Sequence, residues 1–97
     1  MRIIWSPLAI ERVEEISDYI SYDSPIAANN WIDKIFSKVD KLKDNPKIGR
    51  VVPEIQNKTI REIIFGNYRI ICQLEKGSIW IHTVRNFKQI LPMEDFD

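Results

Sequence analysis

The sequence predicts an α+β fold, with an N-terminal strand, an antiparallel helix hairpin and then a three- to four-stranded antiparallel sheet. Residues 1–43 hold two segments with apolar side chains at helical spacing, and each segment follows a Ser-Pro pair. Residues 59–85 are instead rich in β-branched and aromatic residues, with turn sequences between the runs. The chain has 97 residues, 44% hydrophobic and 29% charged, which predicts a single domain over residues 1–97.

The first strand and the first helix are predicted from residues 2–21. Residues 2–5 form a short β-branched and aromatic run. Ser6 then suits an N-cap, and Pro7 suits the first helical position, where a backbone N–H would lack a helical partner anyway. The apolar stripe that follows consists of Ala9, Val13, Ile16 and Ile20. We therefore expect an amphipathic helix of about four turns, with its acidic residues off the stripe.

The second helix begins with the same signal, Ser24-Pro25. Its apolar stripe continues to about residue 43 and consists of Ala28, Trp31 or Ile32, Ile35, Val39 and Leu42. Asn45-Pro46 ends it, because the residue before a proline avoids the α region. We expect about 20 helical residues here. Since only two or three residues separate the helices, they should form an antiparallel hairpin.

The second half of the chain predicts an antiparallel meander. Strands are expected at residues 59–65, 68–74 and 79–85, separated by the turn Gly66-Asn67 and by a four-residue turn at 75–78. A loop or short strand should precede them near residues 51–55. The first strand must join this sheet, because an isolated strand is not stable. From Asn86 onward we expect at most one helical turn and a frayed end.

Composition excludes several classes of function. The net charge is zero, so the chain as a whole has no nucleic-acid signature. The signs are uneven, however: residues 11–23 hold five acids and one base, and residues 58–88 hold six bases and two acids. The sole cysteine, Cys72, is predicted to be a buried apolar residue, and it fits a reducing cytoplasm. No run approaches the ~18 apolar residues of a membrane helix. Neither a metal-ligand spacing nor a phosphate-binding glycine loop occurs, so we expect no metal and no cofactor.

Short segments along residues 3–91 resemble the RelE/ParE superfamily, and specifically its ParE-like branch of plasmid stabilization toxins. They are Trp5-Ser6-Pro7-Leu8-Ala9, Ile16 with Tyr19-Ile20, Ser24-Pro25-Ile26-Ala27-Ala28, Leu42 with Asn45-Pro46-Lys47-Ile48-Gly49-Arg50, Arg61-Glu62, Gly66-Asn67-Tyr68-Arg69-Ile70, and residues 79–85. The resemblance implies the toxin of a type II toxin–antitoxin system, neutralised by a cognate antitoxin. It also implies one of two targets, since ParE-like members poison DNA gyrase and RelE-like members cut mRNA in the ribosome.

Basic residues are the candidate site. Arg61, Arg69 and Arg85 fall on three consecutive predicted strands, which allows them to cluster. Together with Arg50 and Lys88 they are the predicted surface for the target or the antitoxin. As an alternative, the three arginines would hold RNA phosphate in a ribosome-dependent mRNA endonuclease, because a guanidinium donates two hydrogen bonds at once. A third alternative is a binding module without toxicity.

His82 is the obvious acid–base candidate, because imidazole titrates near neutral pH. It shares strand parity with Trp80 and Val84, which predicts a side chain in a packed layer. Arg85 stands where the family often has a histidine, and Phe87 and Phe96 offer no hydroxyl in place of the tyrosine of the nuclease branch. We therefore expect a toxin that acts by binding, with DNA gyrase as its target. The antitoxin should occupy the meander edges or the groove between hairpin and sheet, a surface that also allows a homodimer.

Overall fold

The computed structural model describes residues 1–87, which form two helices and a five-stranded sheet. The elements in chain order are β1 (Arg2–Trp5), α1 (Pro7–Ser21), α2 (Pro25–Asp40), a 3₁₀ turn (Lys41–Lys43), β2 (Arg50–Val51), β3 (Ile60–Phe65), β4 (Tyr68–Glu75) and β5 (Ser78–Asn86). The α+β class, the helix hairpin and the antiparallel sheet are confirmed. The sheet has five strands, one more than the largest number predicted, because β1 and β2 both join the meander.

Both helices begin where local chemistry predicts. The Ser6 hydroxyl accepts the Ala9 N–H at 3.0 Å, and the Ser24 hydroxyl accepts the Ala27 N–H at 3.1 Å. Each serine thereby satisfies an N–H group that the first helical turn leaves without a partner. The Ser6 hydroxyl also donates to the His82 carbonyl at 2.8 Å, which joins the start of α1 to β5.

The second helix is shorter than the expected 20 residues. Regular α-helix ends at Asp40 after 16 residues, and a 3₁₀ turn continues the chain to Lys43. Such tightening is common at helix ends. Here the tighter turn still carries Leu42 into the core, where the residue is fully buried.

The strands lie in the order β1-β5-β4-β3-β2. The pair β1–β5 is parallel, with the helix hairpin as its crossover, and the other neighbouring strands are antiparallel. The strand β2 pairs only through Arg50 and Val51, so it is shorter and begins earlier than the predicted segment at 51–55. The chain then leaves the sheet edge and crosses the sheet face that has no helix.

Apolar side chains fill both faces of the sheet. The helix-side core consists of Ala9, Val13, Ile35, Val39, Leu42, Ile63, Ile70, Cys72, Ile79, Ile81 and Val84. A smaller cluster on the opposite face consists of Val52, Ile55, Ile60 and Ile71. The adjacent residues Ile70 and Ile71 belong to different clusters, which explains why the apolar residues of β4 do not alternate cleanly with polar ones.

The predicted helical turn and frayed end after Asn86 fall almost wholly on residues 88–97, outside the described part of the chain, as does Lys88. Within residues 1–87, neither helix is long and apolar enough to cross a membrane.

Candidate functional site

The sheet face opposite the helices, called here the helix-free face, holds the most concentrated charge in the interior. Arg69 on β4 is 5% exposed and Glu62 on β3 is 1% exposed. Arg85 on β5 is the cross-strand partner of Arg69. Charged groups this buried are stable only when other charges or hydrogen bonds compensate them.

Four side chains form an alternating ion-pair chain, called here the Arg–Glu network. Both Nη atoms of Arg69 donate to the Glu54 carboxylate, at 2.6 and 2.8 Å, and Arg69 Nε donates to Glu62 Oε2 at 2.6 Å. The other Glu62 oxygen accepts from Arg50 Nε at 2.6 Å. Arg69 therefore makes a bidentate pair with one carboxylate and a further charge-assisted hydrogen bond with a second.

The Arg–Glu network fixes the loop that crosses the helix-free face. Glu54 lies in that loop, between Val52 and Ile55, which pack on the smaller apolar cluster. The hydrogen bonds that Arg69 donates to Glu54 and to Glu62 raise the pKa of Arg69 above its ordinary value despite the opposing effect of burial. Arg69 is consequently a permanent cation held between two anions, and it cannot serve as a proton donor or acceptor.

Arg61 lies on the other face of the sheet from Arg69. It is the cross-strand partner of Cys72, a member of the helix-side core. Its Nε donates to the Lys58 carbonyl at 3.0 Å and its Nη1 to the Gly49 carbonyl at 3.2 Å. The predicted cluster is therefore wrong for Arg61, because this register places Arg61 and Arg69 on opposite faces, whereas Arg69 and Arg85 are cross-strand neighbours as expected.

The sequence contained a signal for this separation. Gly66-Asn67 is a two-residue turn, so Phe65 pairs with Tyr68 and each odd-numbered residue of β3 shares a face with an even-numbered residue of β4. The same rule places Glu62 on the face of Arg69, and Glu62 was the partner that residue-type reasoning missed. Glu54, in contrast, gave no local signal, because it reaches Arg69 from a loop.

Arg50 joins the Arg–Glu network from its exposed end. Its side chain is 57% exposed, whereas the Glu62 side chain that it contacts is completely buried. Of the five predicted binding residues, Arg50 and Arg69 are thus joined through Glu62, and Arg85 lies beside Arg69 in the sheet. Arg61 is on the other face, and Lys88 is outside the described residues.

His82 occupies a β-bulge. Thr83 pairs with Ile71 and Ile81 pairs with Cys72, so His82 is an extra residue in β5. Alternation along β5 predicts that His82 and Val84 lie on the same face, and the bulge breaks this alternation. Val84 packs in the helix-side core, whereas His82 Nε2 lies 2.8 Å from Oε1 of Gln73 on the helix-free face. Burial lowers the pKa of His82, against a smaller opposing effect of Glu75. Burial therefore favours the neutral imidazole, in which Nε2 can donate to Oε1 of Gln73.

The remaining chemically distinctive side chains have packing roles. Tyr68 contacts Trp31 edge-on with ring centroids 5.5 Å apart. Cys72 is fully buried, and burial raises the pKa of its thiol to about 11, so it is unreactive at neutral pH.

In residues 1–87 no three His, Cys, Asp or Glu side chains are grouped so that they could hold a metal ion.

Several grooves border the helix hairpin, and two of them contain Phe36 of α2. The larger, about 830 Å³, lies between α2 and the edge strand β1, with apolar Trp5 and Phe36 and basic Arg2 and Lys43 in its lining. The smaller, about 320 Å³, lies between α1 and α2 and shares Phe36 with the first. The larger groove lies between hairpin and sheet, and so does a further groove between α1 and the strands β4 and β5.

Comparisons with known proteins agree on one family. Residues 3–90 match the family model described as the ParE toxin of type II toxin-antitoxin system, parDE. The chain is 31% identical over 96 residues to "Putative toxin Y4kP" of Sinorhizobium fredii, covering 93% of this chain and 96% of that protein. The solved structure titled "Chromosomal ParDE TA system from P. aeruginosa" shares the fold, with a TM-score of 0.76 at 18% identity over 91% of this chain and 97% of that one.

Proposed function

This chain belongs to the ParE toxin family of type II toxin–antitoxin systems, and from that membership we propose that it arrests growth by binding DNA gyrase in the cytoplasm. We further propose that a cognate antitoxin neutralises it. The observation that carries the proposal of binding rather than catalysis is the Arg–Glu network, which occupies Arg69 with two carboxylates.

RNA cleavage through a 2′-hydroxyl needs a base, an acid and positive charge for the phosphate. Arg69 would have to release Glu54 and Glu62 before it contacted a phosphate. Arg61 lies on the opposite face, and burial lowers the pKa of His82, which contacts Gln73. Residues 1–87 therefore bring together no acid–base pair beside a free arginine, and this supports a toxin that works by binding.

Two purified assays test the proposal. Micromolar toxin should inhibit supercoiling by DNA gyrase, and translating ribosomes with the same toxin should yield no codon-positioned mRNA cuts. Uninhibited supercoiling would remove gyrase as the target. Codon-positioned cuts made by the wild type would replace the proposal with the endonuclease alternative.

We propose the groove beside β1 as the antitoxin site. Within residues 1–87, β1 pairs on one side only, so its other edge offers backbone groups for strand addition, and Trp5 and Phe36 offer an apolar contact surface. Asp40 also lines the groove and already pairs with Lys43 at 2.7 Å, so Arg2 is the residue that favours an acidic segment of the antitoxin. Arg2→Glu should weaken capture of the toxin by coexpressed antitoxin, whereas the exposed control Lys47→Glu should not. Equal capture of both variants would place the antitoxin elsewhere.

The same groove supports a homodimer in toxin that is free of antitoxin. Light scattering on the isolated toxin should then show a dimer. Arg2→Glu should weaken this dimer, and added antitoxin should dissociate it. A monomer at all concentrations would remove this part of the proposal.

A further inference from the structure

The outward side of the helix hairpin combines exposed aromatic residues with a concentration of negative charge. Tyr19, Tyr22 and Ile26 are 74%, 88% and 75% exposed, around the turn between the helices. Exposed carboxylates lie along the preceding part of α1. The acidic hairpin face is defined here as Glu11, Glu14, Glu15, Asp18, Tyr19, Tyr22 and Ile26.

Most carboxylates of this face do not stabilise the helix that carries them. The macrodipole favours acids in the first turn of a helix and bases in the last turn, and α1 has neither. Glu11 and Glu15 are four residues apart, as are Glu14 and Asp18, so like charges repel along the face. Glu15 pairs with Arg12 at 2.9 Å, whereas Glu11, Glu14 and Asp18 form no ion pair within residues 1–87. A cationic partner would relieve this repulsion.

An apolar groove lies directly beside the acids. It is the groove of about 320 Å³ between α1 and α2, and its apolar lining comprises Ile10, Val13, Ile32 and Phe36. Glu14 and Asp18 line it as well. The exposed tyrosines follow on the same helix. Tyrosine supplies a large contact area and a polar tip, which makes it a frequent anchor of protein interfaces.

We propose that the acidic hairpin face is the surface by which this toxin docks on a lysine- and arginine-rich protein surface of its target. The inference rests on the proposed function and deepens it, because it names the toxin surface and the chemistry of the partner. Charge complementarity selects the occupant: a basic surface with an apolar side chain fits the carboxylates and the groove together. An enzyme that handles DNA must carry a basic surface, since it binds phosphates.

Three variants test the surface. Glu11→Gln/Glu14→Gln/Asp18→Asn removes charge and keeps the Arg12–Glu15 pair. Tyr19→Ser/Tyr22→Ser removes the aromatic anchors. The control Asp44→Asn/Glu75→Gln neutralises two exposed acids outside the hairpin. Each of the first two should raise the toxin concentration for half-inhibition of gyrase about tenfold or more, while the control stays within about twofold. Added salt should weaken inhibition by the wild type more than inhibition by the triple variant, which lacks three carboxylates on this face.

Two further measurements distinguish loss of the docking surface from misfolding of the variants and from a wrong target. The triple variant should melt no lower than the wild type, because it removes repulsion. Growth arrest of the variants is measured beside gyrase inhibition. If the wild type arrests growth without inhibiting gyrase, gyrase is not the target. In that case, loss of growth arrest in the triple variant but not in the control still supports the acidic hairpin face as the docking surface. Triple and tyrosine variants as potent as the control overturn it, and a wild type without either activity overturns both proposals.

Discussion

Arg69→Leu is the sharpest perturbation of the Arg–Glu network. The substitution leaves Glu62, whose side chain is fully buried, without its buried partner. Glu54 also loses its bidentate partner, but it is 32% exposed and water can replace part of that contact. The cost should therefore come mainly from Glu62.

Breaking a buried ion pair by removing one partner costs about 3–5 kcal/mol. The low end applies here, because Arg50 still contacts Glu62, although the Arg50 side chain is 57% exposed and its charge is screened by water. We expect the free energy of unfolding to fall by about 3 kcal/mol. For a domain near 100 residues this lowers the melting temperature by roughly 12–24 °C.

Urea denaturation followed by circular dichroism measures the change, with Arg12→Ala as the control. Arg12 pairs with Glu15 at the surface and should contribute at most about 0.5 kcal/mol. In Arg69→Leu/Glu62→Leu both buried charges are gone, so the double variant should be more stable than the single one. A single variant no less stable than the control, or a double variant less stable than the single one, would refute this account of the network.

Three further predictions concern single residues. The pKa of Cys72 is raised from 9.0 to about 11 in the folded state, so the thiol of the unfolded chain ionises first. The free energy of unfolding should therefore fall as pH rises between these values. In urea titrations at several pH values, Cys72→Ala should lack this fall. Because the pKa of His82 is lowered in the folded state, the unfolded chain binds the proton first as pH drops below the ordinary value of 6.5. The free energy of unfolding should therefore fall in this range, and it should fall less in His82→Gln than in the wild type. Gly49→Ala should cost roughly 1–3 kcal/mol in the same denaturation assay, because its Cβ would lie 2.7 Å from the Glu62 carbonyl oxygen; an unchanged midpoint would contradict that contact.

The fold was predictable where local chemistry determines it. The pairs Ser6-Pro7 and Ser24-Pro25 begin helices because the capping serine and the fixed proline φ act within one turn. The turn Gly66-Asn67 similarly separates β3 from β4, and Gly66 adopts the positive φ of 58° that this turn needs. The extent of β2 was not predictable, because it depends on where the loop leaves the sheet to cover the smaller apolar cluster.

The candidate site was predictable only in part. Residue types located the arginines, and the turn length between β3 and β4 was sufficient to separate Arg61 from Arg69. The bulge at His82 has no turn or proline signal, and it alone changes which side chains of β5 lie together. The contact of Glu54 with Arg69 joins a loop to a strand 15 residues away, so no local pattern encodes it.

The most direct test of a toxin that binds rather than catalyses is its stoichiometry with the target. Purified toxin is titrated against a fixed amount of DNA gyrase, and residual supercoiling is measured at each ratio. Inhibition should be complete only when toxin reaches at least the number of gyrase binding sites, and added antitoxin should reverse it. Complete inhibition at toxin far below the gyrase concentration, or none at a large excess, would contradict the proposal.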